Sequence, residues 1–453
     1  MRYLPKLTEY IETLHREKHS PSCGIIIYSN HKKIYENYWG YEDAERTRKT
    51  TGKTLYNMYS CTKPVTVAAG MMLWERELLD LDAPVAKYLP EMAKAFVMEN
   101  GEKIFVGEKM LVRHLFTMSA GFDYSIMSES VKSIVKKTEK KASTREIVAA
   151  FADMPLGFVP GERFKYSLCH DVLAAVVEVV SGMRFADFMR ENIFEPLGMD
   201  NTCFHMSAEE KEKRMALIWK WDGEKLLNFG RNNGYELTDN YDSGGAGIIS
   251  CAEDYAIFAD AMACGGLAKN GYRLLEDETI CYMASNGLAG FVKHPESFSS
   301  VVGDGYYYGL GVRVREDEEG SEEAYPGEFG WDGAGGCCFT ANMRDGVSIV
   351  FTEHLFCWPD AQGKLVHVNM RKAFYEDYDG MTVSDPENRI CTECESEFLR
   401  SASAMDSLCP ECAHVIFGYP KCDHVFKGGR CIKCRWDGSE SEYIKYLKKE
   451  MYN

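Results

Sequence analysis

The stretch Ser60-Cys61-Thr62-Lys63-Pro64-Val65-Thr66 decides how the rest of the chain is read. A serine three residues before a lysine places both side chains on one face of a helix. The amine can then assist removal of the hydroxyl proton while the oxygen attacks a carbonyl. Ser29/Lys32 and Ser133/Lys136 repeat the spacing, so spacing alone does not single out a site. Ser60/Lys63 differs in its setting. A short connector leads into it, and Val65, Ala68, Ala69, Met72 and Leu73 follow at helical intervals until Leu79-Asp80-Leu81-Asp82-Ala83-Pro84 stops the run. Pro64 is tolerated only if that helix begins near Ser60, where its missing N–H falls in the first turn. A lysine is ordinarily charged near neutral pH, so a second titratable group whose proton is coupled to it must share the work. Tyr166, in Phe164-Lys165-Tyr166-Ser167 after the Pro160-Gly161-Glu162 turn, is the candidate.

Working outward, residues 24–28 and 33–38 read as two short strands around a polar turn. Residues 145–154 and 171–181 read as amphipathic helices. Gly244-Gly245-Ala246-Gly247 turns into a strand and then a helix through Tyr255, Phe258 and Met262. Residues 306–314, 335–343 and 346–353 read as late strands. Early strands, a helical middle and returning strands predict an α/β (α+β) architecture, a mixed sheet flanked by helices over residues 1–378. The apolar pattern fades over residues 379–388, the expected linker.

These motifs, taken in order, resemble the serine β-lactamase-like superfamily of class C β-lactamases, penicillin-binding proteins and carboxylesterases. The resemblance rests on residues 60–66, on Arg113-His114-Leu115-Phe116-Thr117-Met118-Ser119-Ala120-Gly121, and on Tyr166-Ser167 with Asp171-Val172-Leu173. It continues through Glu195-Pro196-Leu197-Gly198-Met199, residues 244–247 and Gly330-Trp331-Asp332-Gly333-Ala334-Gly335-Gly336. It implies the β-lactamase/transpeptidase-like fold with an all-helical region. It also implies that Ser60 is acylated, that Lys63 assists, and that Tyr166 acts as general base and then acid. The oxyanion would lie between the N–H of Ser60 and that of Ala334, on the strand after Trp331-Asp332-Gly333. Two departures bear on substrate. Tyr166-Ser167-Leu168 lacks the amide of the β-lactamase Tyr-x-Asn motif, and Trp331-Asp332-Gly333 replaces Lys-Thr-Gly in the manner of the carboxylesterase branch. Asp332 would repel an anionic β-lactam. An ester or amide substrate is expected, with β-lactamase or D-amino-acid peptidase activity, or a silent binding scaffold, as alternatives. His114, His170 and His354 are expected to be structural, and Cys337-Cys338 a strand pair facing opposite sides.

The 453 residues carry a net charge of −17, which disfavours nucleic acid and anionic membrane as partners. No run of about 18 apolar residues and no leader peptide is evident, so a cytoplasmic location with reduced thiols is expected. Of the 17 cysteines, seven lie between Cys391 and Cys434. Cys391-x-x-Cys394 and Cys409-x-x-Cys412 have the spacing of a four-cysteine zinc site, and Cys422-x-His424 with Cys431-x-x-Cys434 supplies a second set of four ligands. Sequential filling is preferred, although a cross-braced pairing uses the same residues and His414 could compete with His424. One or two structural zinc ions are expected in a zinc ribbon-like domain over residues 389–437, with no cofactor for catalysis. Residues 438–453 read as an amphipathic helix packing on that domain or on a protein partner.

Overall fold

The computed structural model describes residues 4–17, 20–290, 292–293, 306–315, 327–356, 366–378, 388–405, 407–427, 430–431 and 433–451. The chain divides into two units, residues 1–377 and 378–453. All but one of the expected linker residues, and the Gly428-Gly429 turn, lie outside the described residues.

The first unit is built on one antiparallel sheet that joins the two ends of the unit. Ser22–Ser29 (β1) and Lys32–Gly40 (β2) form a hairpin whose turn residues Asn30 and His31 both have positive φ, as a two-residue primed turn requires. On its other edge β1 pairs with Val347–Phe356 (β9), in a register that sets Ile26 opposite Val350. Tyr306–Tyr308 (β5), Arg313–Arg315 (β6), Glu328–Asp332 (β7) and Gly336–Asn342 (β8) continue beyond β9. The strand order is β5-β6-β7-β8-β9-β1-β2. Two short strands, Trp219–Trp221 and Leu226–Asn228, extend from the end of β9. The strand expected over 306–314 is thus split in two, and β7 was not read at all. With the helices described below, this is the mixed α/β architecture of the expected fold class.

Both faces of β1 are covered, since Ile25, Ile26 and Ile27 are all buried. Ile26 joins the core under Ala252–Ala263 (α4), where Tyr255 and Phe258 set their rings edge-on to Phe339 of β8. Ile25 and Ile27 alternate to the opposite face. Pro5–Glu17 (α1) ties to β2 through the 2.7 Å Thr8–Tyr35 hydroxyl contact, and Leu7 N donates to Asp377 at the end of Val366–Asp377 (α5). Arg371 of α5 pairs with Glu328 of β7, both buried, and donates to Tyr306 at 2.8 Å.

The helical region centres on Thr62–Glu75 (α2), which is buried from Thr62 to Leu73 and so shows no polar stripe. It packs against Cys169–Ser181 (α3). The helix expected over 145–154 is Thr144–Ala149 followed by a 3₁₀ turn, opened by a Ser143/Glu146 capping box.

In the second unit, Asn388–Ile390 (β10) pairs with Glu397–Leu399 (β11) as a hairpin. Pro410–Phe417 (α6) follows, with Cys409 as N-cap and Gly418 in the left-handed conformation closing it. A two-residue pair, Phe426–Lys427 (β12) and Arg430–Cys431 (β13), and a last helix, Glu442–Met451 (α7), complete the unit. Beside its cysteines the buried core offers little more than Phe398, Leu408, Val415, Trp436 and Ile444. A core this small needs a cross-link or a metal.

Candidate active site

Ser60 sits between a strand and a helix and is held there from several directions. Leu55–Asn57 (β3) pairs with Ile249–Cys251 (β4), and the next amide, Met58 N, donates to Ile248 O at 2.8 Å. Asn57 N donates to His354 Nε2 at 2.7 Å. Nε2 is therefore the acceptor, and the other ring nitrogen donates to Ala216 O at 3.2 Å. Burial pushes the His354 pKa down to about 4, which keeps the ring neutral for this role. Tyr255 OH donates to Cys61 O at 2.7 Å. Between these anchors Tyr59 adopts φ +45°, a left-handed conformation that costs a non-glycine residue energy. The half-buried Ser60 follows it at the first helical turn.

Lys63 is buried and its ammonium has three acceptors for three protons. Nζ donates to Ser60 Oγ at 3.1 Å, to Tyr124 OH at 2.8 Å and to Gly245 O at 2.7 Å. It also lies 4.7 Å from the centroid of the Tyr166 ring. The Gly245 carbonyl is positioned by Asp171 of α3, which accepts from Tyr241 OH at 2.6 Å and Ser243 Oγ at 2.7 Å. A side chain at Gly245 would meet the Asp171 carboxylate at 2.6 Å and Lys63 Nζ at 3.4 Å, which accounts for a glycine there.

Tyr166, the expected partner of Lys63, stands beside it in the site. Its oxygen accepts from the Trp331 indole N–H at 3.0 Å, while the hydroxyl bonded to Lys63 is that of Tyr124. The Tyr124 ring packs 5.5 Å from Tyr166 and 6.2 Å from Tyr235, and Tyr166 lies 5.4 Å from Trp331. Burial, then the neighbouring Tyr166, holds the Tyr124 hydroxyl well above its ordinary pKa. A cavity of about 560 Å³ opens beside Tyr124, lined by Ile126, Met127, Met154 and Pro155 among others.

The Trp331-Asp332-Gly333 motif ends β7, and Ala334 lies in the turn before β8, not on a strand as expected. The turn packs against the loop that leads into Ser60: a Cβ on Gly333 would stand 2.4 Å from Met58 O. Among the described residues no turn or loop backbone hydrogen bond uses the N–H of Ser60 or of Ala334. Asp332 pairs at 2.7 Å with Arg313, buried in β6, so its charge is compensated and does not by itself repel an anion. His170 and His114 are buried structural groups, with pKa values pushed down by burial to about 3 and about 4. A further group, His31, Asp260 and Cys264, is closed by the His31 ring bonding Asp260 at 2.8 Å, a clamp on the β1–β2 turn.

In the second unit the ligand atoms of Cys391, Cys394, Cys409 and Cys412 converge, as do those of Cys422, His424, Cys431 and Cys434. The fold thus gathers the sequential sets, not the cross-braced ones. His414 is in neither converging set, and its Nδ1 bonds Tyr419 O at 2.7 Å. The separations test the fit to a metal. Cys394 and Cys409 sulfurs are 3.7 Å apart, Cys422 and Cys431 sulfurs 4.0 Å, and Cys434 Sγ and His424 Nδ1 3.4 Å. Zn–S and Zn–N bonds of the usual length give tetrahedral edges of roughly 3.8 and 3.6 Å, so the donor sets suit zinc in both type and spacing.

The beta-lactamase family profile matches residues 7–362. The chain belongs to the beta-lactamase family. The match takes in the sheet, Ser60, Lys63, Tyr166 and the Trp331 turn, and leaves out the cysteine-rich unit. Protein Rv1367c of Mycobacterium tuberculosis is 26% identical over 341 residues, covering 73% of this chain and 84% of that protein. Esterase EstB of Burkholderia gladioli is 26% identical over 362 residues, covering 74% and 86%. In three dimensions the beta-lactamase-family unit is similar to EstCE1, a hydrolase with promiscuous acyltransferase activity, with TM-score 0.66, 22% identity, and 82% and 97% of the two chains covered. No helix among the described residues is long and apolar enough to cross a membrane.

Proposed function

We propose that the beta-lactamase-family unit is a serine hydrolase that cleaves an ester or amide of a small molecule through an acyl-Ser60 intermediate. The 3.1 Å contact of Lys63 Nζ with Ser60 Oγ, on a strained turn pressed against Gly333, carries this reading. The Ser60 oxygen attacks the carbonyl carbon while Tyr166, acting as a phenolate that accepts the Trp331 N–H and faces the Lys63 ammonium, takes the hydroxyl proton and then returns it to the leaving group, becoming a phenolate again. The Lys63 ammonium stabilises the serine oxygen as it gains charge, and Tyr124 and Gly245 hold the ammonium in place. Charge on the carbonyl oxygen falls to the N–H groups of Ser60 and Ala334, donors each worth on the order of 3 kcal/mol in acyl transfer. Water then attacks the acyl carbon and releases the acid. The similarity to EstB favours an ester over a β-lactam. The cysteine-rich unit binds two zinc ions that replace the hydrophobic core it lacks, at Cys391, Cys394, Cys409 and Cys412 and at Cys422, His424, Cys431 and Cys434.

The test is hydrolysis of p-nitrophenyl acetate and butyrate by the full chain beside Ser60→Ala, with a chromogenic cephalosporin in parallel. Ester turnover that disappears in the variant is expected. Cephalosporin turnover alone would move the substrate to β-lactams, and silence on every substrate from folded protein would overturn the hydrolase.

A further inference from the structure

The two ligand sets of the second unit are joined by a side chain that belongs to neither. Glu411 is the residue before Cys412, in the first turn of α6, so it rides on the Cys409–Cys412 pair of the first set. Its carboxylate is largely buried and reaches the second set, with Oε2 3.4 Å from His424 Nε2; Oε1 accepts a hydrogen bond from Lys448 Nζ on α7 at 2.6 Å. A carboxylate can only accept from these groups, so the His424 proton sits on Nε2. That leaves the lone pair on Nδ1, the nitrogen 3.4 Å from Cys434 Sγ. The ring is held in this orientation by Trp436, 4.6 Å away centroid to centroid, and by Phe426 at 5.8 Å.

We infer that Glu411 is the positioning residue of the second metal set, and that it makes filling of that set depend on filling of the first. It fixes His424 in the tautomer that ligates through Nδ1. Cys409 caps the turn that carries Glu411, so closing Cys409 and Cys412 on a metal fixes that backbone and steadies the carboxylate against His424. Partners of this kind are worth 10- to 100-fold in metal affinity elsewhere. The inference rests on the zinc reading above.

The test is a titration of the full, reduced, metal-free chain with Co²⁺, then competition with Zn²⁺, because a four-thiolate site and a three-thiolate, one-imidazole site have different visible bands. The first set should fill before the second. Glu411→Leu should weaken the second set about 10- to 100-fold and the first by less than about threefold. Glu411→Gln, which keeps a neutral acceptor, should restore part of the loss. Lys448→Met, which removes the other contact of Glu411, should leave both affinities within about threefold. Removing the first set with Cys394→Ser should weaken the second in the native chain but add nothing in Glu411→Leu. In the native zinc-loaded chain, ¹⁵N correlation spectra of His424 should show a proton on Nε2 and metal on Nδ1, a readout that needs no variant. Metal on Nε2, or a Glu411→Leu chain that fills like the native one, would overturn the inference while leaving the zinc reading standing. A native chain that takes up no metal at either set would overturn both.

Discussion

Replacing Tyr124 by phenylalanine removes one oxygen and keeps the ring that packs on Tyr166 and Tyr235. The lost contacts are the 2.8 Å bond from the Lys63 ammonium and the side-chain hydrogen bond between Tyr124 and Tyr166. A hydrogen bond to a charged group contributes about 1.5–3 kcal/mol, which at about 1.4 kcal/mol per tenfold corresponds to roughly 10- to 150-fold. The loss should fall on kcat/KM, because an ammonium short of one acceptor no longer stays directed at Ser60 Oγ as that oxygen gains charge. The same buried ammonium now carries an unmet donor, a stability cost of about 1–3 kcal/mol, or about 1–4 °C in unfolding midpoint for a unit of this size. Initial rates on p-nitrophenyl butyrate over a range of concentrations, beside Ser60→Ala and Tyr166→Phe, give the first quantity, and thermal unfolding gives the second. Activity within about threefold of the native protein, while Ser60→Ala is inactive, would refute the role given to Tyr124.

Gly333→Ala puts a Cβ 2.4 Å from Met58 O and must displace the turn that carries Ala334; kcat should fall about 10²- to 10³-fold with far-UV circular dichroism unchanged. Arg371→Leu strands the buried Glu328, so urea unfolding should show a loss of about 3–5 kcal/mol, largely recovered when Glu328→Leu is added. His114, His170 and His354 have folded pKa values of about 4, about 3 and about 4, below the ordinary 6.5. The unfolded chain therefore binds protons first. Stability should be full above about pH 6.5 and fall as pH drops toward about 4, with a slope that shallows in His354→Gln. A zinc chelator under reducing conditions should release two zinc ions per chain and shift the fluorescence of Trp436, while ester turnover persists. Parallel loss of turnover would tie the metal to the hydrolase.

Much of this was legible because it depends on local patterns. Pro64 placed the helix start beside Ser60, the run of apolar residues after it belongs to a helix buried all round, and the cysteine pairs announced two ligand sets. What escaped the sequence depends on partners distant in the chain. Tyr124 lies in an aperiodic loop, and only its place three residues after Gly121, at the end of a recognised motif, could have suggested it. Asp332 reads as a free negative charge until β6 supplies Arg313 beneath it. The strand Glu328–Asp332 is short and broken by Gly330, whose missing side chain leaves room for the Phe339 carbonyl 2.1 Å from where a Cβ would stand, so alternation gave no signal there. Ala334 was expected on a strand because a glycine-rich run does not say where a turn ends.

The position of β1 bears on the order in which the molecule can be made. Its two neighbours are β2, a few residues away, and β9, more than 300 residues later in the chain. During synthesis the first hairpin must wait with one edge unpaired until residue 356 has left the ribosome. His354, which anchors the serine turn, arrives in the same late strand. A nascent chain stopped anywhere short of that strand therefore has an incomplete sheet and an unsupported Ser60 turn. The site around Ser60 can therefore be completed only after β9 has been made.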